Sequence, residues 1–251
     1  MADGPAPANR PTTDRAVPER VLAIGAHPDD IEFGCGATLS KWAADGCEVS
    51  LLVCTDGSKG TWDPHADLAE LVVTRQAEQR VAAKRLGATG EVVFCDWVDG
   101  ELESGLRQRA VVASWIRRLR PNVVLGHDPW KRYRLHPDHR HAGLLAVEGV
   151  VAARDPHFFT EQALPHHRPD ALLLFEADEA NHVEVLTEAQ IDTKIAALEA
   201  HESQFVSTMG IRDGDDESRT AFARRIRDEA AEHGALAGVA LGEAFHAIID
   251  L

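Results

Sequence analysis

The sequence predicts an open α/β fold of Rossmann-like kind, a mostly parallel sheet with helices on both faces. Two observations predict it. Strand and helix patterns alternate along most of the chain, and the strands are continuous apolar runs rather than alternating ones. Uninterrupted apolar strands belong to sheets buried on both faces, and alternation with helices is the pattern of parallel crossover units.

Residues 21–25 (VLAIG) read as the first buried strand, ending in glycine. A helix pattern covers 37–44 and stops at Asp45-Gly46. The next strand is 49–54, followed by a long amphipathic helix over 68–86 with Gly87 just beyond its end as a cap. Residues 91–95 form a third strand, 106–119 a helix with Pro121 just past it, and 123–126 a fourth strand. Residues 138–153 are helical again. Residues 154–170 carry Pro and His without periodicity and read as a loop before a strand at 171–175. A short strand is expected at 183–186 and helices at 191–200 and 221–232, with a Gly- and Asp-rich surface loop over 207–218.

The 251 residues, 44% of them hydrophobic, suffice for one sizeable core, and no linker divides the chain. Residues 1–19, rich in Pro, Ala and Asp, are expected to be a flexible tail, leaving 20–251 as a single domain. The tail lacks the apolar centre of a signal peptide, and no run approaches the roughly 18 apolar residues of a membrane span. With 41 acidic against 26 basic residues the formal charge is −15. Such a chain repels nucleic-acid phosphates and anionic membrane surfaces, so neither is an expected partner. The cysteines Cys35, Cys47, Cys54 and Cys95 form no CxxC pair and no disulfide framework, which fits a reducing cytoplasm. Oligomeric state is not readable, and a homo-oligomer is compatible with the sequence.

Two segments carry chemistry. Ala26-His27-Pro28-Asp29-Asp30 directly follows the first strand, and His136-Pro137-Asp138-His139-Arg140-His141 follows the fourth through a loop and opens a helix. Both therefore fall on the edge where open α/β sheets bind ligands, beyond the carboxyl ends of the strands. Adjacent carboxylates raise each other's pKa unless a cation stands nearby, and a divalent metal removes the penalty. His27, Asp30 and His139 would supply two nitrogens and one oxygen, the set of a catalytic zinc with an open fourth position. Asp29 is then left free to handle protons. The same donor set suits iron(II), so Zn2+ or Fe2+ is the expected cofactor.

These motifs resemble the LmbE-like, or PIG-L, family of zinc-dependent N-deacetylases. AHPDD (26–30) and HPDH (136–139) carry the resemblance, and AHPDDIEFGCGATLSKWAADG, RQAEQRVAAKRLGA, HPDHRHAG and HESQF extend it over most of residues 20–205. The resemblance implies His27, Asp30 and His139 as metal ligands and Asp29 as general base. It implies that His136 stabilises the oxyanion and that Asp138 orients it. Arg75, opening the RQAEQ segment, resembles an arginine that the family places near the substrate. The implied reaction removes an acetyl group from an N-acetylglucosamine-type small molecule, an N-acylated amino sugar.

Other readings accompany these. Asp29 or Asp138 could cap a helix, and His127, after the fourth strand in GHDPW, lies near the cleft as either a site residue or a hydrogen-bonded histidine at a strand end. His141 points away from His139 on a helix. Gly34-Cys35-Gly36 lacks the third glycine of a dinucleotide fingerprint, because Leu39 stands there. Close approach of helix to sheet is its simpler role. Trp62, Trp97 and Trp130 follow strands and could stack on a sugar or cover the core rim. Alternatives to the deacetylase are an amidase acting on a larger acyl or thiol-conjugate amide, a non-catalytic metal-binding interaction protein, and a Rossmann oxidoreductase.

Overall fold

The computed structural model describes residues 10–212 and 214–251. Its strands are β1 (Thr12–Thr13), β2 (Arg20–Gly25), β3 (Glu48–Thr55), β4 (Val92–Trp97), β5 (Val123–His127), β6 (Ala171–Phe175), β7 (His182–Val185) and β8 (Gly242–Ile249). The α-helices are α1 (Asp30–Ala44), α2 (Leu68–Arg85), α3 (Leu106–Leu119), α4 (Pro137–Arg154), α5 (Glu188–Leu198) and α6 (Asp216–Ala237). The strands make one sheet in the order β1-β7-β8-β6-β5-β2-β3-β4. All pairs are parallel except the two that β8 makes, with β6 and β7. The mostly parallel open α/β fold is thus the one expected.

Side chains of a strand alternate between faces, and both faces of this sheet are covered. Val21 and Ala23 of β2 pack with Ile31, Leu39 and Trp42 of α1 on one side. Leu22 and Ile24 pack with Val112 and Ile116 of α3 and Leu145 and Ala146 of α4 on the other. Each fully buried Leu or Ile side chain contributes about 1.5–3 kcal/mol relative to exposure. A further apolar cluster joins α5 and α6 to α1 through Ile191, Ile195, Leu198, Phe222, Ile226 and Ala37.

From β2 the chain runs outward to β3 and β4, then returns to β5 on the other side of β2. The carboxyl ends of β2 and β5 therefore flank the reversal of strand order, where such sheets open a crevice.

Several elements differ from expectation. α1 starts at Asp30, seven residues before the expected helix, and passes through non-helical Cys35 (φ −152°, ψ 17°). Glu243 of β8 accepts from Ala37 N (3.1 Å) and Thr38 N (2.7 Å), and Lys194 of α5 donates to Phe33 O (2.7 Å). These bonds replace the helical ones lost at the bend. Lys194 and Glu243 also pair at 2.8 Å, both buried. Gly34 lies so close to Phe175 of β6 that a Cβ there would enter the ring, so the glycine serves helix-to-sheet approach. β8 was not among the expected strands, and α6 is longer at both ends than its apolar pattern suggests. Residues 1–9 of the expected tail lie outside the described residues. Within 10–19, Thr12–Thr13 pairs with β7, and Arg15 N donates to Glu184 Oε1 at 2.9 Å, so this stretch of the expected tail is attached to the sheet.

Candidate active site

Most of the candidate side chains gather beyond the carboxyl ends of the parallel strands. His27, Pro28 and Asp29 follow β2, and Asp30 is the first residue of α1. Asp99 follows β4, His127 ends β5, and Glu176 follows β6. His136 caps α4, whose first turn holds Asp138 and His139, with Pro137 favoured there because its missing N–H would have no helical partner. Of these, His27, Asp29, Asp30, Asp99, His136, His139 and Glu176 line a cleft of about 440 Å³ together with Phe33, Lys59, Arg75, Gln204 and Arg225, while His127 and Asp138 are buried and do not line it.

Asp30 joins the two segments. One carboxylate oxygen faces His27 Nδ1 at 3.2 Å and His127 Nε2 at 3.2 Å, and the other faces His139 Nε2 at 3.3 Å. His127 and His139 stack with ring centroids 4.5 Å apart, and His136 stacks on His139 at 5.0 Å. Burial raises the pKa of Asp30, but the facing His139, His127 and His27 outweigh it and hold the carboxyl well below its usual range.

His27 is oriented from behind. Its Nε2 lies 3.2 Å from both Asp99 Oδ1 and Asp138 Oδ2. Burial lowers the His27 pKa, yet Asp30, Asp138 and Asp99 together raise it well above its ordinary value. Carboxylates at Nε2 keep a proton on that nitrogen in the neutral ring and leave the Nδ1 lone pair facing Asp30.

Asp138 does more at His27 than at His136. Its carboxylate accepts from Gly100 N (2.6 Å) and Leu102 N (3.3 Å) as well as facing His27, while only its backbone N–H reaches His136 Nδ1, at 3.3 Å. It is not the cap of α4, a place that His136 holds. Because His136 Nδ1 accepts, the neutral ring carries its proton on Nε2. Burial, with His27 and His139 nearby, lowers the His136 pKa and favours that neutral form.

Asp29 is buried and left-handed, with φ 100° and ψ −27°, and its side chain makes no helix-capping bond. Burial raises its pKa to about 6 against the opposing pull of Arg75. Arg75, itself buried, lies 3.6 Å from Asp29 Oδ2 and donates to Pro28 O (2.6 Å) and Gly57 O (2.8 Å). Gly57 (φ 66°) and Gly60 make room for the guanidinium, since a Cβ at either would collide with it.

The donors fit a divalent metal. Two ligands each about 2.0–2.1 Å from a tetrahedral zinc stand about 3.3 Å apart, and His27 and His139 stand at about that spacing from Asp30, each from a different carboxylate oxygen. The donor atoms that lie within 4.8 Å of one another form overlapping sets: His27, His136 and His139; Asp30, His127 and His139; and His27, Asp99, His136 and Asp138. His139 is common to the set with His27 and to the set with Asp30, but no one set holds all three expected ligands, and His127 and Asp99 enter as members that no motif marked. Asp99 sits alone after its strand, and His127 carries the ordinary signal of a strand-end histidine. His141 turns away from the cleft, its Nδ1 3.1 Å from Ser104 Oγ. Trp97 packs against the core, whereas Trp62 and Trp130 are exposed.

An open α/β fold with a His–carboxylate cluster at its switch point, and without a glycine fingerprint, fits an enzyme with a metal-type site better than a nucleotide binder. The chain belongs to the PIG-L family, described as GlcNAc-PI de-N-acetylase, whose model matches residues 22–150. It is 36% identical over 190 residues to the diacetylchitobiose deacetylase of Thermococcus kodakarensis, covering 74% of this chain and 70% of that protein. It is 32% identical over 171 residues to the 1D-myo-inositol 2-acetamido-2-deoxy-alpha-D-glucopyranoside deacetylase of Streptomyces avermitilis, a match spanning 58% of each. Among solved structures, it is similar to N,N'-diacetylchitobiose deacetylase from Pyrococcus horikoshii in complex with the inhibitor MPG. That likeness has a TM-score of 0.82 and 29% identity, over 92% of this chain and 84% of that one. Among the described residues, no helix is long and apolar enough to cross a membrane.

Proposed function

We propose that this enzyme removes the acetyl group from the amide nitrogen of an N-acetylglucosamine-type small molecule. The observation that carries the reading is the buried Asp29 carboxylate beside His27, Asp30 and His139 on the floor of one cleft. Membership of a deacetylase family and the names of its relatives support it.

His27, Asp30 and His139 would hold a divalent metal, zinc or iron(II). When bound, the metal polarises the amide carbonyl and lowers the pKa of water in the site. Asp29 takes the proton of the attacking water and returns it to the departing amine nitrogen. Burial suits it to both tasks, because it lifts the carboxyl towards neutrality. His136 offers Nε2–H to the oxyanion that develops on the former carbonyl oxygen. Asp138 and Asp99 hold His27 in the ring orientation that presents Nδ1. Arg75 lines the cleft beside Asp29 and is assigned contact with the sugar, while its terminal nitrogens also hold the loops at Pro28 and Gly57.

Metal content per chain, measured in wild type and in His139→Ala, tests the site without knowledge of the substrate. About one zinc or iron per chain, lost in the variant, is the outcome that the ligand set requires. Acetate release from a panel of N-acetylglucosamine conjugates then tests the reaction. A wild type that binds no metal when zinc is supplied would overturn the mechanism, and release of longer acids instead of acetate would make the enzyme an amidase of larger acyl groups.

A further inference from the structure

Asp29 adopts a backbone conformation that L residues rarely take. Something in the fold must hold it there, since such conformations persist only where their surroundings over-determine them. The restraint is visible at the peptide between Pro28 and Asp29. Its carbonyl oxygen accepts from Arg75 at 2.6 Å, and its N–H donates to Gln79 Oε1 at 3.0 Å. Arg75 and Gln79 are four residues apart on α2 and lie on one face of it. The C=O and N–H of a trans peptide point in opposite directions, so two side chains one helical turn apart can take one each.

Gln79 is itself held. Its Nε2 donates to Glu32 Oε1 at 2.6 Å, and Glu32 Oε2 faces His201 Nε2 at 3.6 Å. Gln79, Glu32 and His201 are fully buried. The Glu32 bond fixes the amide so that oxygen, not nitrogen, is aimed at Asp29.

We infer that Arg75 and Gln79 clamp the Pro28–Asp29 peptide, and that Gln79 is a positioning residue which aims the Asp29 carboxylate into the cleft. Rotation of an unclamped peptide would carry φ of Asp29 into the negative range and swing its side chain away from the reacting atoms. The inference rests on the assignment of Asp29 as base for its effect on turnover, but the clamp itself is a matter of backbone geometry.

Gln79→Leu keeps the volume and removes the acceptor. Its kcat is expected to fall about 10- to 100-fold, with KM and bound metal unchanged. In an Asp29→Ala background the same substitution should cost nothing further, because the clamp acts only through Asp29. Gln79→Glu alone sets two carboxylates face to face and should be impaired. Adding Glu32→Gln restores both hydrogen bonds, with donor and acceptor exchanged between positions 79 and 32 and the Asp29 N–H donating as before, and should recover kcat; this pair decides the matter if Gln79→Leu does not fold. A crystal structure of Gln79→Leu should show the Pro28–Asp29 peptide turned. Unchanged kcat with φ of Asp29 still positive, an equal loss in the Asp29→Ala background, or a folded Gln79→Glu/Glu32→Gln pair without recovery would each overturn the inference. If the wild type releases acetate from no N-acetylglucosamine conjugate, the deacetylase reading falls, while the orientation of that peptide in Gln79→Leu still decides the clamp.

Discussion

Asp29 and His136 occupy the same cleft but are assigned different work, and single substitutions separate them. Asparagine tolerates left-handed backbone, so Asp29→Asn isolates the loss of the proton acceptor from any change of fold. Turnover should drop about 10²–10⁴-fold with metal retained, as read by acetate release and metal analysis on one preparation. His136→Phe keeps a ring and removes the donor, and should cost about 10²–10³ in kcat, again with metal retained. Wild-type turnover in either variant removes that residue from the mechanism. At this scale the sequence was legible where chemistry is written twice. Two HPD segments after two strands marked His27, Asp29, Asp30, Asp138 and His139 together. Asp99, Gln79 and His127 act through contacts across 72, 50 and 97 residues of chain; only the place of His127 at a strand end hints at it, and nothing adjacent to Asp99 or Gln79 does.

The elements show the same division. β2, β3, β5 and β6 could be read from their apolar runs because both their faces are buried. β8 reads as no such run, since GEAFHAII interrupts the apolar residues with Glu243 and His246. The charge at 243 is tolerated because Lys194 and two backbone N–H groups of α1 meet it, a compensation that only the folded chain reveals. The start of α1 was hidden for a related reason. Two glycines around Cys35 weaken a helix, and α1 crosses them on hydrogen bonds from α5 and β8. Glu243→Leu should therefore be costly, leaving Lys194 buried without its partner. A loss on the order of 3–5 kcal/mol is expected in urea unfolding, and a loss below about 1 kcal/mol, the worth of an exposed pair, would show that the bend in α1 does not depend on it.

For the whole molecule, the formal charge of −15 makes the response to acid depend on which carboxylates folding has tuned. Glu184 is buried, and although burial raises its pKa, His182, Lys41 and the N–H of Arg15 bring it from 4.5 to about 2. An unfolded chain takes up this proton as pH falls through the ordinary value, whereas the folded chain resists until much lower pH. The contribution is thus full above pH 4.5 and lost as pH falls towards 2, on the order of 3 kcal/mol in all. Glu184→Gln should be less stable than wild type near neutrality and lose less on acidification from about pH 5 to about pH 3. Parallel acid titrations of the two, followed by circular dichroism, check this, and an identical acid response would refute the role of Glu184. The same corner of the sheet has a consequence for the order of assembly. β1 joins the sheet through β7, and β7 joins it through β8, the last of these strands to leave the ribosome. During synthesis, β2 to β6 can find their neighbours early, while β1 and β7 wait for a strand not yet made. The first of these strands to emerge thus takes its place among the last, and a nascent chain stalled before Gly242 should expose β1 and β7 to protease while β2 to β6 are already protected.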